Sequence, residues 1–357
     1  MEVTYYLLSA FFVIASAMPF VSDQHWIFRI FDFGRIQLMF LQLIMLVAGF
    51  FMIEDQNAAF WAMEAALAGF FIYHALILFP YTHLYPVGNQ TTKAKDSESI
   101  SILSVNVYQF NKEYPLLIDL VNEVKPDILL TMETNREWEN ALSVLEKDYP
   151  NATKVPLDNT YGMHFYTRLK VARAKVNYFM ADDLPSVEVD LETRNHNKFT
   201  FFGVHPPPPS PTEETTSKER DGELLMVAKL VRKLKHPVLV VGDFNNVAWA
   251  RSSVLFRKTS ELIDPRIGRG FISTYHAKYK WLRFPIDLFF HSTDVFIEEF
   301  KTLRPIGSDH LPQYCKFFIN HQSPVQEKQV ETAEPEELEE VNEMIVEGKK
   351  EANDIKN

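Results

Sequence analysis

Five polar signatures stand at or just beyond the ends of apolar, strand-like runs: Asn106 in SVNVY, Glu133 in LLTMET, His205 in FGVHP, Asp243 and Asn245 in VVGDFNN, and Asp309-His310 in GSDH. An α/β scaffold gathers its active site at strand ends of this kind. Carboxylates, amides and imidazoles are what phosphoester hydrolysis asks for, since oxygen charge must be neutralised, a water oriented and a poor leaving group assisted. Oxygen donors suit Mg²⁺, with Mn²⁺ as the alternative. Glu133 and the amide oxygen of Asn106 are the first candidate ligands, because the ion keeps several waters and takes one or two carboxylates. The run ILLTM delivers Glu133 from a buried strand, and Gly242 lets the chain turn tightly before Asp243. Arg168 in YGMHFYTR and Arg220 in ERDGEL are candidates to grip a substrate phosphate through forked hydrogen bonds. Ordinary structural roles compete: an Asp-Asn turn after a strand for GDFN, a turn before HPPPP for His205.

In this order and at these spacings, the GDFN tetrad and the terminal SDH above all, the chain from about 99 to 320 resembles the endonuclease/exonuclease/phosphatase superfamily. The resemblance implies that Asp243 and Asn245 position the nucleophilic water and the phosphate, that His310 contacts the scissile phosphate, and that Asp309 helps hold the metal or water. It further implies that Asp287 in RFPIDLFF accepts a hydrogen bond from His310, a pairing that favours imidazolium, and that His205 stabilises transition-state charge. Many relatives follow this Asp with His or Tyr; Leu288 stands here, which puts a supporting contact in doubt. The implied fold is a DNase I-like four-layer sandwich, α/β, with two packed mixed β-sheets flanked by helices.

The elements that must position these residues agree with that class. Short β-rich runs (SILSVNVY, PDILLTMET, YGMHFYTR, SVEVDLE, KFTFFGVHP, PVLVVGDFN, PIDLFFHS, QYCKFFI) alternate with helical stretches near 116–124, 137–147 and 220–234. Several strands are apolar nearly throughout, as expected where both faces of a sheet are covered. A Pro-rich loop at 205–217 follows the His205 strand. Domain bounds are therefore 100–320 for the catalytic unit, 87–99 for a polar linker and 321–357 for an acidic tail, expected to be largely disordered or transiently helical.

Upstream lie three apolar runs at about 4–22, 36–53 and 58–80, each near the ~20 residues that cross ~30 Å of hydrocarbon. Residues 1–86 thus predict a bundle of three transmembrane helices. The first run lacks a basic start and a cleavage site, so it reads as a retained span rather than a signal peptide. Trp26, Trp61 and several tyrosines fall near the run ends, where amphipathic rings favour the headgroup layer. Glu64 and His74 lie inside the third run and read as pairing partners within the bundle, outside the site.

Composition excludes some chemistry. The single cysteine, Cys315, rules out an internal disulfide and a Cys cluster and reads as a core thiol. No Walker loop, GxSxG elbow or GxGxxG turn is present. The formal charge of −11 is concentrated in the tail from residue 321, with 11 acidic residues against 4 lysines. No Lys/Arg-rich stretch marks a nucleic-acid channel.

The spans, with GVHPxPP, RDxEL, GDFN, PID and SDH, are similar to bacterial membrane proteins related to the teicoplanin-resistance phosphatase. That implies a multi-pass protein of the bacterial inner membrane whose partners are the lipid bilayer and a phosphorylated, lipid-linked substrate such as a polyprenyl pyrophosphate. A nuclease acting on DNA or RNA is the first alternative, and a non-catalytic membrane scaffold the second. The side of the membrane stays open: Arg29, Arg35, Lys93 and Lys95 favour a cytoplasmic catalytic unit, whereas the resemblance suggests the outer face.

Overall fold

The computed structural model describes residues 1–87 and 97–355. Of the linker expected at 87–99, residues 88–96, with Lys93 and Lys95, lie outside the described residues.

Helix α1 (Glu2–Ala17) is followed by a short helix α2 (Trp26–Phe33), then by α3 (Arg35–Met52) and α4 (Ala58–Leu78). Three of these segments, Glu2–Phe20, Arg35–Met52 and Ala58–Tyr81, are long and apolar enough to cross a membrane. Helix α4 begins where the Asn57 side chain accepts from Ala59 N and Phe60 N, satisfying orphan donors of its first turn. Glu64 accepts from the Tyr5 hydroxyl, and this approach needs Gly49, because a Cβ there would lie 2.3 Å from Glu64 Oε1. His74 Nε2 sits 3.0 Å from Ser16 Oγ, which also accepts from Gln42 Nε2 at 2.7 Å. Both ionisable residues of the third run are therefore paired inside the bundle.

The strands are β1 (Ile100–Asn106), β2 (Ile128–Met132), β3 (Asn151–Val155), β4 (Met163–Thr167), β5 (Lys170–Asn177) and β6 (Ser186–Glu192). They continue with β7 (Lys198–Val204), β8 (Val238–Asp243), β9 (Asp287–His291), β10 (Val295–Thr302) and β11 (Gln313–Ile319). One sheet has the order β10-β11-β1-β2-β4-β3, the other β5-β6-β7-β8-β9. Among these strands β1/β2 and β7/β8 pair parallel, and the other strand pairs are antiparallel. Between the sheets lies an apolar core that includes Ile102, Leu130, Phe165, Val189, Phe201, Val241 and Phe289.

Outside the first sheet, helices α5 (Tyr114–Val124) and α6 (Arg136–Leu142) bury Leu117, Leu120, Trp138 and Leu142. Outside the second, α7 (Lys218–Val231), α8 (Arg251–Ser260) and α9 (Pro335–Ile355) cover Phe202, Val240, Leu288 and Phe290. The result is the four-layer sandwich anticipated from the sequence. The tail differs from expectation: α9 is a 21-residue helix whose Val341, Ile345 and Ala352 are buried against α7. Its apolar residues recur at 341, 345 and 352, a stripe that an acidic average composition conceals.

Candidate active site

The parallel and antiparallel registers bring one edge of each sheet together. Asn106 ends β1 and Glu133 follows β2, its parallel neighbour, in which Asn106 pairs with Met132. Strand β11 runs antiparallel to β1, so its entrance carries Asp309 and His310 to the same edge. In the other sheet Asp243 ends β8 opposite Asp287, which begins β9, and His205 follows β7. The order of the sheet is thus what converts signatures scattered over about two hundred residues into one cluster.

Asp243 is its centre. Its Oδ2 lies 3.1 Å from Asn106 Nδ2, 3.5 Å from His310 Nε2 and 3.9 Å from His205 Nε2, while Oδ1 accepts from Asn245 N at 2.8 Å. The backbone makes this possible: Gly242 has φ 153°, and a Cβ there would stand 1.9 Å from the Val204 carbonyl oxygen. His310 Nδ1 is 2.8 Å from Asp287 Oδ2. Ser308 fixes the approach of that strand, donating to the Asn106 carbonyl at 2.8 Å and accepting from His310 N at 3.0 Å. Leu288 is fully buried in the layer beneath the helices, since successive strand side chains take opposite faces.

Glu133 sits in left-handed backbone at φ 60°, a conformation uncommon for a residue other than glycine and one that points to a demanding local role. Its oxygens accept from Asn106 Nδ2 at 2.8 Å and Gln109 N at 3.1 Å. The Asn106 amide oxygen, expected to face a metal, accepts from Tyr108 N at 3.0 Å and keeps a second lone pair, while the amide NH₂ bridges Glu133 and Asp243. The cause is the turn at Tyr108, which brings its N–H back over Asn106.

Burial sets the charges. It pushes the Asp243 carboxyl up to about 7, with the nearby Asp287 charge acting in the same direction. Burial opposes protonation of His310, but Asp287 and Asp243 outweigh it and raise the imidazole to about 10. His205 is held neutral, lowered to about 3 by burial and then by the His310 charge, and its Nδ1 is buried without a partner among the described residues. Glu133 is raised by burial, with Asp309 pushing the same way. Asp243, Asp287 and His310 each offer a ligand atom within 4.8 Å of one another, although His310 would have to lose its proton to serve. Glu133 and Asp309 are carboxylates kept partly from water, a condition that a hard cation relieves, so the donor set fits a divalent ion.

Two expected residues are elsewhere. Arg168 follows β4, whose Thr167 pairs with Ile128 at the start of β2, so it occupies the opposite edge of the sheet. It donates to the carbonyls of Lys125 and Asp148 and covers the Tyr149 ring. Arg220 lies behind the site, buried against Asp221 and donating to the Asn245 carbonyl at 3.0 Å. It braces the GDFN turn through the backbone. Residues without a strong sequence signal also take part: Gln109, Ser308, Gln313, which donates to the Asp287 carbonyl at 3.0 Å, and Tyr275, whose ring is 4.9 Å from that of His310. Adjacency to Asp309-His310 could have suggested Ser308; Tyr275 is distant in sequence and had no such cue.

The helical bundle touches this edge. Leu78 and Tyr81 pack with Val247, Ala248, Trp249 and Ile286, the segments that follow Asn245 and precede Asp287. Trp249 Nε1 donates to the Asp32 carbonyl at 2.7 Å, and Trp26 N donates to the Thr215 carbonyl at 3.0 Å. The segment 22–35, between the first two apolar runs, is therefore a docking element with α2 at its centre.

The Endonuclease/Exonuclease/phosphatase family matches residues 103–310, from β1 to the imidazole of His310. No curated protein matches the chain. Among solved structures, TDP2 of D. rerio in complex with a single-strand DNA product is similar at a TM-score of 0.53 and 17% identity, covering 62% of this chain and 99% of that one. A humanized D. rerio TDP2 carrying 14 mutations gives 0.52 at 16% identity, over 61% and 98%. A family protein from Bacteroides thetaiotaomicron gives 0.51 at 17% identity, over 64% and 98%. Such identities speak for the fold, and the sequence match across the catalytic edge speaks for the family. The chain belongs to the Endonuclease/Exonuclease/phosphatase family, whose members are metal-dependent hydrolases of phosphate esters.

Proposed function

We propose that the protein is a membrane-anchored, Mg²⁺-dependent phosphoesterase that hydrolyses the phosphate ester or anhydride of a lipid-linked substrate, a polyprenyl pyrophosphate being the class that fits best. The observation that carries this reading is the contact between Leu78 and Tyr81 of a membrane-length helix and the residues flanking Asn245 and Asp287. A site built on those flanks opens beside the bilayer, where a tethered enzyme meets lipid headgroups at high effective concentration. A water-soluble nucleotide or a DNA strand gains nothing from that arrangement.

In this mechanism Glu133 and Asp309 would hold the ion, with Asn106 spacing Glu133 from Asp243, and the charge of a bound Mg²⁺ would neutralise the phosphoryl oxygens. Asp243, near neutrality in its proton affinity, takes the proton of the attacking water, which Asn245 helps orient. His310 presents an N–H to the scissile phosphate as imidazolium, kept charged by Asp287. His205, neutral, donates to the developing charge.

The test is phosphate release from a polyprenyl pyrophosphate by the full-length protein in detergent, compared with His310→Ala and with EDTA. Release abolished by both supports the reading. An active preparation that leaves the lipid intact but cleaves DNA in a metal- and His310-dependent way keeps the family chemistry and discards the substrate; the DNA-bound D. rerio neighbour makes that the natural comparison.

A further inference from the structure

The loop 275–284 joins the catalytic edge to an exposed apolar tip. At its base Tyr275 N donates to the Phe284 carbonyl at 3.1 Å, Leu311 N to that of Thr274 at 3.1 Å and Ala277 N to that of Asp309 at 2.6 Å. At its tip stand Tyr279, Trp281 and Leu282, exposed by 53%, 91% and 56%. A tryptophan presented almost bare beside two other large apolar groups marks an interaction surface rather than chance scatter.

A hydrogen bond fixes the depth of that tip. Gln37 Nε2 donates to the Trp281 carbonyl at 2.9 Å, and Gln37 is the third residue of α3. On the same helix face, one and two turns further along, Phe40, Leu41 and Ile44 are exposed. At 1.5 Å per residue, Gln37 is about 3 Å inside the helix start, where headgroups give way to hydrocarbon if α3 spans. The tip is also cationic, with Lys278 and Lys280 exposed and the Arg283 guanidinium turned back onto the His276 and Ala277 carbonyls. In a chain of formal charge −11 this aromatic and basic composition is a local exception. It is the composition of side chains that settle at an anionic membrane surface.

We infer that residues 278–282 form a wedge seated in the headgroup–acyl boundary of an anionic bilayer, holding the mouth of the site against the membrane beside Tyr275 and His310. The inference rests on the reading of α3 as a membrane span, and it deepens the proposed function by naming the surface over which a lipid-borne phosphate reaches the site. Tyr279, Trp281 and Leu282 are the membrane-contacting groups; Lys278 and Lys280 meet lipid phosphates.

The experiment uses the full-length protein in phosphatidylcholine/phosphatidylglycerol nanodiscs. Trp281→Cys and, as a control, Lys198→Cys at the opposite sheet edge carry an environment-sensitive fluorophore; the native Cys315 is buried. Expected is blue-shifted emission at position 281, quenched by nitroxide on the upper acyl chain and shielded from aqueous iodide. Iodide quenching equal to the control overturns the wedge, and a shielded label untouched by lipid nitroxide overturns it in favour of a second protein copy. Trp281→Ala combined with Leu282→Ala should raise KM for the membrane-embedded pyrophosphate on the order of tenfold. Turnover of a short-chain, water-soluble pyrophosphate ester, which reports that the variant folds, should not change; an unchanged KM also overturns the wedge. A lipid-seated label without lipid hydrolysis would leave the wedge standing and remove the proposed substrate, whereas hydrolysis with a water-exposed label would do the reverse.

Discussion

Asp243 and Asp287 face each other across the β8–β9 ladder, and the imidazole of His310 reaches both, with Nδ1 2.8 Å from Asp287 and Nε2 3.5 Å from Asp243. Two buried carboxylates this close repel unless a cation stands between them, and the imidazolium is that cation. Asp287→Asn should therefore lower the proton affinity of His310 from about 10, shift the alkaline limb of the pH–rate profile to lower pH and reduce kcat roughly 10²-fold. A rate profile whose alkaline limb stays in place would contradict the pairing.

The same pair makes stability depend on pH. A histidine raised in the folded state stabilises fully below its unfolded value, about 6.5, and that stability is lost as pH rises through about 10. In EDTA, the thermal midpoint of the native protein should fall between pH 7 and 10 more steeply than that of Asp287→Asn, as read by differential scanning fluorimetry.

Metal affinity should follow the opposite slope. Burial raises Glu133, so at acidic pH a proton occupies the ligand and must leave before the ion enters. Calorimetric titration with Mg²⁺ should show binding that weakens as pH falls into the acidic range, with a limiting slope of about tenfold per pH unit for one displaced proton. Glu133→Gln should weaken binding and flatten that dependence.

Gly242 cannot be replaced cheaply. A Cβ would collide with the Val204 carbonyl of the neighbouring strand, so Gly242→Ala should destabilise by about 3 kcal/mol or more and lose activity with it. Urea denaturation followed by circular dichroism measures the loss.

The C-terminal helix should be part of the folded unit. Val341 is fully buried, and Val341→Asp places a carboxylate in an apolar layer, at a cost of about 3 kcal/mol or more. A variant as stable as the native protein in thermal unfolding would show α9 to be dispensable.

The two arginines should separate. Arg168→Ala should leave kcat within about twofold, since surface changes away from the site do little, whereas Arg220→Ala, by removing the donor to the Asn245 carbonyl, should reduce it about tenfold or more. Equal effects on steady-state kcat would refute the assignment.

The sequence made the central strands legible because β1, β2, β7 and β8 are buried on both faces over most of their length and read as mainly apolar runs. It missed β3, β5 and β10, each an edge strand whose partner lies on one side only; KVARAKVN and VFIEEFKT mix charge into the pattern. Polar residues at strand ends could be read as a cluster, because position along a strand is local information. The role of Arg168 could not, because which end of β4 meets the site depends on its antiparallel pairing with β2. The orientation of the Asn106 amide was equally hidden, being set by a turn rather than by residue type.

Trp249 stands four residues after Asn245, and its indole is tied to the Asp32 carbonyl while Leu78, Tyr81 and Ile286 close around it. The helical bundle and the catalytic edge thus share one small apolar core. A fragment beginning after residue 97 would set Trp249 and Ile286 in water and leave the turns bearing Asn245 and Asp287 without their floor. The first 87 residues are in this sense a brace: shearing them away would remove a wall of the site.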